Sequence, residues 1–248
     1  MKKIIIANWK MNPLTPAEAG VLAGEIKQVS KDLQKVDVLV CPPAIFLETV
    51  GRKKVNLGAQ DSFWQIEGAH TGRISPVMLK EMGVSHVLAG HSDLRATGDT
   101  NVLVNKKILQ ALRAGLRVIL CVGETTRDGE GHYFDFVRGQ LEEGMAKVQK
   151  KNLARVLMAY EPLWAIGDKA TRAAYPADVF EMSIFIKKVL TKLYGSQARD
   201  VPILYGGSVT PKNCSDYFKE GGINGLLVGR QSLKAEEFGK ILKIVNDL

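Results

Sequence analysis

A single carboxylate follows a segment of the chain that is predicted to be a buried strand. The apolar run 156–160 leads directly into Glu161 and Pro162. Because proline has no backbone N–H to donate, the strand should end there. A mostly apolar segment continues to Gly167. A carboxylate kept from water by such a segment can act as a base near neutral pH. This segment alone is equally compatible with a glutamate that faces water or pairs with a lysine.

Short apolar runs recur along the whole chain and define its organisation. They lie at 4–7, 38–41, 55–59, 86–89, 118–122, 156–160, 203–205 and 226–228. Most do not alternate with polar residues, which is typical of strands buried on both faces of a parallel sheet. Amphipathic stretches with helical periodicity lie between them, most clearly at 17–33, 102–114, 134–147, 179–193 and 236–245.

This alternation predicts an α/β fold made of eight β–α units. Residues 1–248 show no linker or change in composition, so we expect a single domain. Eight units in this length favour a (β/α)8 barrel over a doubly wound sheet. The sequence also lacks the glycine-rich fingerprint that usually accompanies a doubly wound sheet.

Several local signals predict where helices begin and end. Three helix starts are indicated, because proline suits the first helical position. They are given by Thr15 with Pro16, by Pro176, and by Thr210 with Pro211. Glycines at 83 and 115 are placed to end helices before the next strand.

In a barrel of this type, the residues just after each strand form one face, where active sites lie. Five predicted strand ends carry residues of chemical interest: Asn8, Trp9 and Lys10; Gly90, His91, Ser92 and Asp93; Glu161; Gly206, Gly207 and Ser208; Gly229 and Arg230. Taken singly, the lysine could be solvated, the histidine structural and the glycines parts of turns. Their convergence on one face favours a functional site.

These residue types suit proton transfer on a small phosphorylated carbonyl compound. Ser208 and Gly229 lie in turns whose backbone N–H groups can bind phosphate. Lys10 can neutralise an anion, and Glu161 can remove a proton from a carbon next to a carbonyl. Lys10 and a neutral His91 can stabilise the enediolate oxygen that results.

The composition is that of an ordinary globular protein, with 46% hydrophobic and 24% charged residues and a net charge of +8. The lysines are scattered rather than grouped with aromatic residues, so we expect no nucleic-acid partner. No apolar run approaches the ~20 residues that cross a membrane. Three cysteines without metal-ligand spacing favour a reducing, cytoplasmic location and no metal site.

Seven segments, in order along the chain, resemble the triosephosphate isomerase family. They are ANWKMN at 7–12, GAQ at 58–60, GHS at 90–92, LCVGE at 120–124, AYEPLWAIG at 159–167, YGGSV at 205–209 and LVG at 227–229. The resemblance implies interconversion of dihydroxyacetone phosphate and D-glyceraldehyde 3-phosphate without a cofactor. It implies that Glu161 is the base, that His91 is a neutral electrophile, and that Asn8 and Lys10 bind the substrate.

The resemblance also implies roles around the phosphate. The family's phosphate-binding positions correspond to Gly167, Ser208, Gly229 and Arg230. Residues 164–169 correspond to a lid that closes over the substrate. Tyr205 corresponds to a tyrosine that holds the closed lid. The family usually has glycine at the position of Arg230.

A homodimer is a further implication of the resemblance. Residues 60–75 correspond to a loop that docks into a second subunit, with Thr71 reaching toward its active site. The family usually has glutamate in place of Arg73 and arginine in place of Leu94, so we expect that ion pair to be lost. Asp93 replaces a usual glutamate and keeps its carboxylate.

Two alternative functions remain open from the sequence. The departures in the lid after Gly167 motivate an isomerase of a related small ketose phosphate, such as a tetrulose phosphate. The other alternative is a catalytically weak barrel with a binding role, although Lys10, His91 and Glu161 are all present.

Overall fold

A computed structural model describes residues 2–167, 170 and 172–248 of the chain. Eight parallel strands form a closed barrel in which each strand pairs with its neighbours in the sequence, and β1 pairs with β8. The strands are β1 Lys3–Asn8, β2 Val36–Cys41, β3 Asn56–Ala59, β4 Val84–Ala89, β5 Arg117–Val122, β6 Val156–Tyr160, β7 Ile203–Tyr205 and β8 Gly225–Val228. The predicted (β/α)8 barrel is confirmed, and every predicted strand is present to within two residues.

Helices connect the strands around the outside of the barrel. Those in the described residues are α1 Pro16–Ser30, α2 Leu47–Gly51, α3 Pro76–Glu81, α4 Ser92–Ala96, α5 Asn101–Arg113, α6 His132–Gly144, α7 Pro176–Tyr194, α8 Cys214–Lys219 and α9 Ala235–Asp247. None of the helices in this part of the chain is long and apolar enough to cross a membrane.

The helix boundaries follow most of the local signals. Thr15 caps α1 by accepting from the Glu18 N–H at 3.2 Å, and Pro176 begins α7. Gly83 and Gly115 have φ angles of 81° and 83°, a left-handed conformation that ends a helix readily only at glycine.

One predicted helix start is wrong. Residues 211–213 form a turn, and α8 begins only at Cys214. The side chain of Asn213 accepts from the Thr210 N–H at 2.8 Å and donates to the Ser208 carbonyl at 2.9 Å. These hydrogen bonds close a turn at the position where Thr210 and Pro211 would otherwise begin a helix.

Alternation along the strands decides which side chains enter the barrel. On β6, Leu157 and Ala159 belong to the small core inside the barrel, whereas Val156, Met158 and Tyr160 pack outward against the helices. Side chains of a strand alternate between its two faces, so the residue after Tyr160 again lies on the inner side. The fold therefore directs Glu161 toward the barrel axis.

Candidate active site

A cavity of about 430 Å³ opens at the carboxyl ends of the strands. Its lining residues come from segments that are distant in sequence, and they include Asn8, Lys10, His91, Glu161, Ser208 and Gly229. Asn8, Glu161 and Gly229 each lie two residues beyond an inward-facing side chain of the barrel core. The alternation of the strands thus brings the predicted site residues together.

Glu161 is buried, with only 3% of its surface exposed. One carboxylate oxygen, Oε1, lies 3.2 Å from Nε2 of His91. The other, Oε2, accepts a hydrogen bond from the backbone N–H of Ser92 at 3.1 Å. Gly206 leaves room for this side chain, since a Cβ there would lie 3.0 Å from Cγ of Glu161.

The hydrogen bonds of His91 determine which ring nitrogen carries its proton. His91 is the residue before α4, and its Nδ1 accepts from the backbone N–H of Asp93 at 3.1 Å. A nitrogen that accepts a hydrogen bond carries no proton, so in the neutral ring the proton is on Nε2. The imidazole therefore presents an Nε2–H donor to the cavity and to Glu161.

Lys10 has a left-handed backbone with φ = 52°, which costs about 1–2 kcal/mol in a residue other than glycine. Two hydrogen bonds hold it there. Its N–H donates to Oδ1 of Asn8 at 3.0 Å, and its carbonyl accepts from Nε2 of Gln60 at 2.7 Å. The Lys10 ammonium lies 3.1 Å from Oδ2 of Asp93. Asp93 thus contacts the lysine, and it also lies 3.7 Å from Nδ1 of His91.

Residues of the turns after β7 and β8 and of the loop after β6 also line the cavity. Gly167, Gly207, Ser208, Gly229 and Arg230 all contribute to it. The Ser208 hydroxyl donates to the carbonyl of Ala165 at 3.2 Å, which connects the turn after β7 to the loop after β6. Backbone N–H groups at such turns are suited to bind a phosphate.

The loop after β6 is anchored at its start by Trp164. The indole N–H donates to Oε1 of Glu124 at 2.8 Å. The guanidinium groups of Arg127 and Arg172 lie over the indole ring, at 5.4 Å and 4.6 Å from its centroid. Asp168 and Lys169, in the predicted lid, lie outside the described residues.

The Cys121 thiol borders this site from inside the barrel. Burial raises the pKa of the Cys121 thiol, and the neighbouring carboxylate of Glu161 raises it further. The thiol is therefore neutral at physiological pH. It adds no second negative charge beside Glu161.

Three predicted residues, Asp93, Thr71 and Tyr205, are not among the described residues that line this cavity. Asp93 contacts Lys10 and lines a neighbouring cavity. Thr71 is exposed in the loop between β3 and α3. Tyr205 is fully buried beneath the turn after β7, and its ring packs against that of Tyr217 at a centroid distance of 4.2 Å with a tilt of 36°.

The sequence analysis missed two residues that shape the site, Gln60 and Glu124. Gln60 fixes the backbone of Lys10, and Glu124 accepts from both Tyr160 and Trp164. Both residues lie just beyond strands, β3 and β5, and within two of the segments that resemble the family. The barrel rule applied to all eight strand ends would have found them.

Comparisons with known proteins agree with this geometry. The family model described as triosephosphate isomerase matches residues 3–245. A triosephosphate isomerase of Thermoanaerobacter sp. (strain X514) is 44% identical, and the match covers 97% of this chain and 98% of that protein. The enzyme of the same name from Carboxydothermus hydrogenoformans is 43% identical over 98% of both chains, and that from Dictyoglomus thermophilum is 38% identical over 98% and 99%. The chain belongs to the triosephosphate isomerase family.

Proposed function

We propose that this protein interconverts dihydroxyacetone phosphate and D-glyceraldehyde 3-phosphate by proton transfer. The observation that carries the proposal is the buried Glu161 carboxylate, 3.2 Å from Nε2 of His91, in a cavity that also contains Lys10. A base, a neutral donor and a cation are the groups that this reaction needs. The family membership supports the same substrate.

The first step takes place at the carbon next to the substrate carbonyl. Glu161 removes a proton from this carbon, and the electron pair of the broken C–H bond forms a C=C bond. The carbonyl electron pair moves to oxygen and gives an enediolate. The Nε2–H of His91 and the ammonium of Lys10 stabilise the new negative charge, because both donate toward the cavity. The substrate hydroxyl proton then moves to the former carbonyl oxygen, which becomes the new hydroxyl group. Glu161, now protonated, returns its proton to the adjacent carbon, which takes up the electron pair of the C=C bond while the new carbonyl forms at the first carbon.

The phosphate group holds the substrate in place during both steps. We infer that it binds the backbone N–H groups of two turns, one at Ser208 and the other at Gly229 and Arg230. Gly167 contributes a further N–H group from the loop after β6. Substrate entry replaces the contacts that Glu161 now makes with Ser92 and His91. A carboxylate freed in this way lies close to the carbon that it must deprotonate.

We also propose that the protein forms a homodimer. Four apolar side chains on this end of the barrel are strongly exposed: Met11, Leu14, Ile45 and Met78, at 85%, 83%, 81% and 59%. A second cavity of about 440 Å³ is lined by Lys10 and Ala44, the sequence neighbours of Met11 and Ile45, and it shares Lys10 and His91 with the first cavity. The loop carrying Thr71 from a second copy would cover this surface. Sedimentation should give a dimer at micromolar concentration, and a monomer would refute the proposal.

A location in the cytoplasm completes the proposal. Cys41, Cys121 and Cys214 are all free and buried, which suits a reducing compartment.

A coupled turnover assay with the purified protein tests the proposed activity. We expect turnover in both directions with the two triose phosphates, and a much lower kcat/KM with a tetrulose phosphate added as a competing substrate. A higher kcat/KM for the tetrulose phosphate would transfer the proposal to that substrate. Absence of turnover with either substrate would support a binding role instead.

A further inference from the structure

The hydroxyl of Tyr217 is buried between two elements of the candidate site. Tyr217 lies in α8 and is 2% exposed. Its hydroxyl donates to the backbone carbonyl of Ala174 at 3.0 Å. Ala174 is itself 3% exposed and lies two residues before α7, where the loop after β6 ends. This hydrogen bond therefore fixes the end of the loop that begins with Trp164.

The same hydroxyl contacts the turn after β7 through Tyr205. The two hydroxyl oxygens are 3.5 Å apart, and the tilted rings pack against each other with their centroids 4.2 Å apart. Because the single proton of Tyr217 goes to a carbonyl, only Tyr205 can donate across this gap. The Tyr205 hydroxyl, whose pKa burial raises, is close enough to the backbone N–H of Ser208 for that group to oppose the rise. It also lies directly beneath Gly207, where a Cβ would fall 2.1 Å from its oxygen.

The turn after β7 is thus connected to both ends of the loop after β6. At the start of the loop, the Ser208 hydroxyl donates to the carbonyl of Ala165 at 3.2 Å. At the end of the loop, the turn is connected to Ala174 through the hydroxyl groups of Tyr205 and Tyr217. Without the Tyr217 hydroxyl, the Ala174 carbonyl would be buried and unpaired, and this end of the loop would lose its connection to Ser208.

We propose that Tyr217 is a positioning residue that fixes the phosphate-binding turn at Ser208 relative to the loop after β6. This inference rests on the proposed function, in which that turn binds the substrate phosphate. Tyr217 does not line the cavity among the described residues, so it acts through Tyr205 and Ala174. Its loss should loosen phosphate binding equally in the substrate complex and in the transition state, which raises KM and leaves kcat unchanged.

The test compares Y217F with a matched control, Y194F. Tyr194 is also a buried tyrosine whose hydroxyl donates to a backbone carbonyl, that of Met145 at 2.8 Å. It lies at the opposite end of α7 from Ala174. Both variants lose one comparable hydrogen bond, so a general loss of stability should affect them alike. The readouts are KM, kcat and the dissociation constant for inorganic phosphate, measured by calorimetry.

A net hydrogen bond changes an equilibrium constant by about 2- to 12-fold. We expect Y217F to raise KM and the phosphate dissociation constant by about fivefold, with kcat within twofold of the wild type. Y194F should leave all three within twofold. If Y217F is too unstable at the standard assay temperature, the same measurements at a lower temperature, where the variant is folded, should give the same shifts.

An unchanged KM and phosphate affinity in Y217F would overturn the inference, as would an equal shift in Y194F. If the wild-type protein has no isomerase activity, the proposed function fails, but the phosphate dissociation constants still test the role of Tyr217 separately.

Discussion

Shortening the side chain of Glu161 by one methylene group, in E161D, tests its position as the base. The backbone at this position cannot advance to compensate. Its N–H donates to the Val122 carbonyl at 2.8 Å, and its carbonyl oxygen packs on Gly123, where a Cβ would fall 1.8 Å away. The aspartate carboxylate would therefore withdraw by about 1.5 Å, the length of one C–C bond.

This withdrawal is large relative to the contacts that Glu161 makes. Its oxygens lie 3.2 Å from Nε2 of His91 and 3.1 Å from the Ser92 nitrogen, so both contacts would exceed hydrogen-bonding distance. A misplacement of about 1 Å at a reacting group can cost about 100-fold in rate. We expect kcat to fall by about 100-fold, equivalent to about 2.7 kcal/mol in activation free energy.

Steady-state kinetics in the coupled assay would measure this effect. KM should remain within about threefold of the wild type, because the phosphate-binding turns are unchanged. E142D, which makes the same change on α6 away from the cavity, is the control and should retain full turnover. Circular dichroism would establish that both variants are folded. A kcat within threefold of the wild type would refute the assignment of Glu161 as the base.

Three further predictions concern buried polar groups. Burial and a nearby arginine lower the pKa of His86 to about 4. Between pH 6.5 and 4, the unfolded chain therefore binds a proton at this imidazole more readily than the folded protein does. The free energy of unfolding, measured with urea, should fall by up to about 3 kcal/mol over this range because of His86. The H86Q variant should lose correspondingly less than the wild type. The Lys107 ammonium is buried and lies 2.7 Å from a carboxylate oxygen of both Asp61 and Asp99, so K107M should destabilise the fold by about 3 kcal/mol. D61N and D99N, added to K107M, should recover part of this loss, and no recovery would contradict the reasoning. The Cys121 thiol, which burial keeps neutral, should react with a thiol reagent only on unfolding, and rapid labelling of the native protein would be inconsistent with this structure.

Much of the fold could be predicted because each strand is a short apolar run that is buried on both faces. Alternation within the strands then determines which residue beyond each strand faces the axis, as for Glu161 after β6. The position of Asn8 after the inward-facing Ile6 of β1 follows from the same rule. These features depend on local sequence and on one known architecture.

Other features could not be predicted, because they depend on contacts between distant residues. The hydrogen bond from Gln60 to Lys10 joins residues 50 positions apart, and that from Tyr217 to Ala174 joins residues 43 apart. The helix α8 begins later than its sequence signal predicts, for a different reason. The side chain of Asn213 satisfies the backbone of the preceding turn, and this competes with the helix signal of Pro211.

The most direct test of the central claim is turnover of dihydroxyacetone phosphate in D2O. A proton on the Glu161 carboxyl group exchanges with solvent before it is returned, so the D-glyceraldehyde 3-phosphate formed should carry deuterium at C2. E161Q, whose amide cannot accept the proton, should form this product at a small fraction of the wild-type rate. Absence of turnover by the wild-type protein, or a product that carries no deuterium, would contradict proton transfer through Glu161.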